Sequence, residues 1–128
     1  MITQHVHEHL IESINLSFLE ITDILKALGN EKRIQILLIL LKGPQSYSII
    51  VQELALKKTA VSNHLTQLRK VKLIRREGNG VYEITGDGFQ FIRAIENAYQ
   101  NSPTRQAEKF DSLQRRGISE SFLKRFHT

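Results

Sequence analysis

The stretch ELALKKTAVSNHLTQLRKVKLIRREGNGVYEIT, Glu53 to Thr85, decides the fold. In its first part Val61, Leu65 and Leu68 recur at steps of four and three, the spacing of one buried helix face, which predicts a helix over about 59–72. The period then drops to two. Leu73–Glu77 and Val81–Thr85 read as short strands around Gly78-Asn79-Gly80, a turn sequence that accommodates positive φ.

Working outward, a shorter helix is expected near Ile49–Leu56, with Ser48 as its cap and Lys57-Lys58 as the link to the helix that follows. Before it, Glu31–Lys42 is apolar almost all round and belongs in the middle of a core, with Asn30 capping its start and Gly43-Pro44 stopping it. From Val6 to Leu28 the residues Val6, Leu10, Ile14, Phe18, Ile21, Leu25 and Leu28 recur at helical steps, so one long amphipathic helix is expected, closed by Gly29. Ile11, Leu19 and Ile24 widen its apolar stripe beyond one packing face. After the hairpin, Thr85 caps a helix from about Gly86 to Gln100 carrying Phe89, Ile92, Ile95 and Tyr99. Pro103 opens a basic amphipathic tail, 103–128, read as one or two short helices.

The expected fold is therefore mostly α with a small β-hairpin (α+β), in the order α-α-α-α-β-β-α plus a short helical C-terminal tail. Two short helices joined by a tight turn, the second leading into a Gly-tipped basic hairpin, is the layout of a winged helix-turn-helix. Residues 1–102 form that domain, with dimerising terminal helices, and 103–128 an extension.

Charge is distributed unevenly. The net charge is +5, yet Lys57, Lys58, Arg69, Lys70, Lys72, Arg75 and Arg76 stand within twenty residues, and no acid occurs from Leu54 to Arg76. A block of this kind faces a polyanion. Burial of Val61, Leu65 and Leu68 leaves Lys58, Thr59, Ser62, Asn63, Thr66, Gln67 and Lys70 on the open side of the helix. Short hydroxyls, amides and lysines near a helix N-terminus suit base edges and phosphates, and the helix end adds its own N–H donors. Arg75 and Arg76 enter the hairpin, placed for the DNA backbone or a minor groove.

These segments resemble the ArsR/SmtB transcriptional repressors. ALGNEKRIQILLIL (Ala27 to Leu40) is similar to the family's second-helix signature, and the VSNHLTQL within Glu53–Ile74 to its recognition segment. RREGNGVYEIT resembles its wing and TGDGFQFI its closing helix, so the likeness spans about residues 22–100. It implies a homodimer with the N- and C-terminal helices at the interface, here Leu10, Ile14, Phe18, Leu25, Ile95 and Tyr99. It also implies recognition helices in successive major grooves. DNA contacts would fall to Lys57, Lys58, Thr59, Ser62, Asn63, His64, Gln67 and Lys70 on and beside the recognition helix, and to Arg75, Arg76 and Asn79 on the wing. Lys72 stands where the family usually has Gly, and residues 103–128 extend past the usual end of its fold.

The expected function is a dimeric, sequence-specific DNA-binding regulator acting as a repressor, with double-stranded DNA and a second copy of itself as partners and any small-molecule effector unknown. A winged-helix module for protein or RNA association stays open as the alternative.

No enzyme is expected. There is no Gly-rich phosphate loop, no HExxH and no nucleophile elbow. Cysteine is absent, which excludes thiolate chemistry and disulfides. The family's closing-helix metal ligands are missing too, since no histidine lies between Gly86 and Gln100. His5, His7 and His9, with Glu8 and Glu12, are read as a polar helix start rather than a metal site, and no cofactor is expected. The longest apolar run, Ile36–Leu41, is six residues against the ~20 of a membrane span, and no signal peptide is evident, so a cytoplasmic protein is expected.

Overall fold

A computed structural model describes residues 2–126, with side chains described over 6–117. Its elements run α1 (Ile2–Leu16), α2 (Phe18–Leu28), α3 (Glu31–Leu41), β1 (Gln45–Ser46), α4 (Tyr47–Leu54), α5 (Lys58–Lys70), β2 (Ile74–Arg76), β3 (Val81–Ile84), α6 (Gly86–Gln100) and α7 (Pro103–Phe126). Two compact units result, Met1–Phe89 and Gln90–Thr128.

The first unit is built on α3. Ile36, Leu37 and Leu40 are buried, and they gather Ala27 and Leu28 from α2, Ile50 and Leu54 from α4, Val61, Leu65 and Leu68 from α5, and Leu73, Ile74 and Tyr82 from the β region. Leu38 and Leu41 stay exposed, so α3 is central on one side only. Asn30 caps α3 as expected, its Oδ1 accepting from the Lys32 and Arg33 amides at 2.9 and 3.1 Å.

Four local readings are corrected. The helix expected over Val6–Leu28 breaks at Ser17, where φ −123° and ψ 27° leave the helical region and the amide bonds Ile14 O, three residues back. The periodicity misses this because the apolar residues stay in helical step across the break. The hairpin gains a third strand: β1 pairs antiparallel with β3, giving the order β1-β3-β2. A two-residue strand offers no alternation to read. Its extended backbone (Ser46 φ −73°, ψ 157°) also makes Ser46, not Ser48, the cap of α4, with Oγ accepting from the Ile49 amide. The tail is one helix of 24 residues rather than one or two short ones. Ser102 caps it, Pro103 opens it, and the internal Gly117 costs a helix only about 1 kcal/mol.

The turn after α5 is tight. Lys72 adopts φ 61°, the left-handed conformation that glycine takes without strain. Thr85 caps α6, its Oγ1 accepting from the Gly88 amide at 3.1 Å and donating to Lys72 O at 2.7 Å. Gly88 lies against the Leu73 carbonyl, with no room for a Cβ.

Candidate nucleic-acid interface

Burial of Val61, Leu65 and Leu68 fixes the roll of α5. The opposite side is open. Lys57, Lys58, Thr59, Ser62, Asn63, Thr66 and Lys70 are exposed and Gln67 is half-buried. Among the described residues Thr59, Asn63, Gln67 and Lys70 make no side-chain hydrogen bond or ion pair, so their polar groups are free for a ligand. Lys57 occupies the N-cap position of α5 and its side chain supplies no cap bond, while the first turn holds no acid. The N–H groups at this helix end therefore remain available, with the positive end of the helix dipole, to an anion.

Ser62 is different. Its Oγ lies 2.9 Å from the Tyr47 hydroxyl, which lies 2.7 Å from the Lys58 carbonyl. Tyr47 thus joins the start of α4 to the first turn of α5, and its amide bonds Gly80 O at the hairpin tip. Sequence reasoning passed over Tyr47, for no local signal relates a helix start to a serine fifteen residues on. Tyr47, Ser62, Arg76, Gly80 and Tyr82 line a cleft of about 330 Å³ between α5 and the hairpin.

His64 turns the other way. Half-buried, it accepts at Nδ1 from Arg33 Nη1 at 3.3 Å, which places its neutral-form proton on Nε2. Burial first, then the Arg33 and Lys32 charges, lower its pKa below the usual histidine range. Arg33 also donates to Ala27 O at 2.6 Å and Lys26 O at 3.1 Å, tying the end of α2 to α3 and α5. The spacing carried a signal, since position 64 lies on the rim of the stripe set by 61, 65 and 68. Beside it a polar groove of about 430 Å³ runs along Asp23, Lys26, Arg33, Asn63, Gln67 and Lys70.

The two hairpin arginines also part company. In register, Arg75 faces Glu83 and Arg76 faces Tyr82. Arg75 donates from Nε and Nη2 to Glu83 at 2.8 Å and meets Glu77 at 3.1 Å. A hydrogen bond between the two carboxyls, with the charge of Glu83, raises the Glu77 pKa; that same bond and Arg75 lower that of Glu83. Arg76 has no hydrogen bond or ion pair among the described residues. Asn79 is exposed at the tip, where Gly80 takes φ 70°.

The residues expected at a dimer interface are all exposed in the single chain: Leu10 58%, Phe18 53% and Leu25 57%, with Ile14, Ile95 and Tyr99 also open. Phe89, on the first turn of α6, is exposed as well. Among the described residues no three His, Cys, Asp or Glu are grouped to hold a metal, and the side chain of His5 lies outside them. No helix of the described residues is long and apolar enough to cross a membrane.

Residues 30–76 match the family described as "Bacterial regulatory protein, arsR family". Among solved structures, HlyU from Vibrio cholerae is 30% identical, covers 66% of this chain and 97% of its own, and superposes with a TM-score of 0.55. The transcriptional regulator HlyU from Vibrio vulnificus is 28% identical over 70% of this chain and 97% of its own, TM-score 0.53. The homodimeric winged helix-turn-helix DNA-binding domain of Mb0332 from Mycobacterium bovis is 26% identical over 68% of this chain and 88% of its own, TM-score 0.54. No curated protein matches.

Proposed function

The chain belongs to the ArsR family of bacterial regulatory proteins, with a winged helix-turn-helix fold, and from that premise we propose that it is a dimeric, sequence-specific repressor of the cytoplasm. The observation that carries this reading is the open side of α5. Thr59, Asn63 and Gln67 hold hydrogen-bonding groups free of internal partners, within a segment of seven cations and no acid. Neutral side chains of that length read base edges, and the flanking cations meet phosphate.

Dimerisation supports the same reading. The apolar side chains of α1 and α2, Leu10, Phe18 and Leu25 among them, have no cover in one chain, and the M. bovis domain is homodimeric. A two-fold dimer sets two recognition helices one DNA turn apart, and a repressor of this form acts by occupying promoter DNA.

Selection of bound sequences from a random duplex pool, followed by competition with non-specific DNA over a salt series, tests the proposal. An enriched two-fold symmetric motif with steep salt dependence is expected. Salt-insensitive or negligible duplex binding refutes it and favours the protein-association module.

A further inference from the structure

We propose that Tyr47 fixes Ser62 as a hydrogen-bond acceptor, so that Ser62 selects a base presenting an amino group, adenine N6 or cytosine N4, in the major groove. The inference rests on the DNA-reading function above and deepens it by assigning the chemistry read at one position.

Proton counting carries the argument. A tyrosine hydroxyl has one proton, and a carbonyl oxygen only accepts. The Tyr47 oxygen lies 2.7 Å from Lys58 O, so its proton is donated there. The 2.9 Å contact between the Tyr47 and Ser62 oxygens then needs a proton from Ser62, whose hydroxyl points back at Tyr47. Ser62 is exposed, and what remains on its oxygen toward the groove is a lone pair. A free serine donates or accepts by rotating its hydroxyl, which makes it an indifferent reader. Held by Tyr47, this one is polarised. Adenine and cytosine present N–H donors to the major groove, whereas the edges of guanine and thymine offer only acceptors and a methyl group. Tyr47 is itself held at both ends, by its amide on Gly80 O and its hydroxyl on α5, so the polarity is built into the fold.

The test compares sequences selected by the unaltered chain, Ser62→Ala and Tyr47→Phe. At one position of each half-site the unaltered chain should prefer adenine or cytosine, and Ser62→Ala should abolish that preference. Tyr47→Phe keeps the ring and frees the serine proton, so guanine or thymine should become acceptable there, discrimination falling about three- to tenfold. A second arm avoids the tyrosine variant. Deleting the amino group of that base should weaken the unaltered chain about three- to tenfold but leave Ser62→Ala unmoved, which corrects for weakened base pairing. A preference for guanine or thymine, an unchanged motif in folded Tyr47→Phe, or equal losses in the second arm overturns the inference alone. No enriched sequence for the unaltered chain overturns the DNA-reading function with it.

Discussion

The two neighbouring arginines of the wing should behave differently on DNA. Arg76 is exposed and unpaired beside Ser62, whereas Arg75 is held by Glu83 and Glu77 at 2.8 and 3.1 Å. Each phosphate contact contributes about 0.9 to the slope of log affinity against log salt, so Arg76→Ala in a dimer should remove about 1.8. Between about 50 and 200 mM salt that slope is worth roughly twelvefold in affinity. The unaltered dimer should therefore lose about twelvefold more affinity than the variant over this range. Arg75→Ala alone leaves two carboxylates facing the phosphates and should weaken binding by repulsion. Arg75→Ala with Glu83→Ala removes one charge of each sign, keeps the local net charge, and should keep the salt slope. Fluorescence anisotropy on a random duplex and on the selected operator reads all of these. If the double variant lowers the slope as much as Arg76→Ala does, Arg75 leaves its carboxylates for phosphate and the distinction fails.

Other perturbations probe the frame. Gly88→Ala places a methyl against the Leu73 carbonyl and 2.7 Å from Ile84 Cγ1. Overpacking of about 1–3 kcal/mol should outweigh the helix-propensity gain of about 1, and an unchanged or higher melting temperature would count against it. Lys72→Gly relieves the φ of 61° and should stabilise by about 0.5–1 kcal/mol while weakening binding to random duplex; a drop in stability contradicts this. His64, with its folded pKa below 6.5, binds a proton more weakly folded than unfolded. Its contribution is full above the unfolded pKa and falls as pH drops through 6.5 toward the folded value, so His64→Gln should flatten that part of the stability profile. An identical profile in folded His64→Gln would show that the histidine does not titrate there. Phe18→Asp or Leu25→Asp should give monomeric or insoluble protein, read by light scattering, and a stable dimer from both would move the interface off this face of α2.

Much of the fold is legible because its signals are local. Val61, Leu65 and Leu68 were predicted to be buried by spacing and are fully buried. Asn30 and Thr85 cap because a short oxygen-bearing side chain stands just before each helical pattern. The break at Ser17 and the strand β1 are not local in this sense. Serine at position 17 is no stronger a helix breaker than Ser13 a turn earlier, and Gln45–Ser46 is extended only because β3 lies beside it. Choosing between Ser46 and Ser48 as cap needed that pairing too.

The site shows the same division, and most sharply in its charges. Counting cations marks the segment 57–76 as the basic one, but a count does not reveal which cations are free. Strand alternation does, once the register is known. Ile74 and Arg76 share one side of β2, toward the cleft with Tyr47, Ser62 and Tyr82, while Arg75 and Glu77 share the other, with Glu83 directly opposite Arg75. The three residues on that outer side sum to one negative charge rather than one positive. The register follows from the turn, and the Gly78-Asn79-Gly80 tip was legible. The pairing of Arg75 was therefore one step away: strands closing on that tip bring positions 75 and 83 face to face. No such step leads to Tyr47, because its bond to α5 depends on the angle between two helices, which packing on α3 decides.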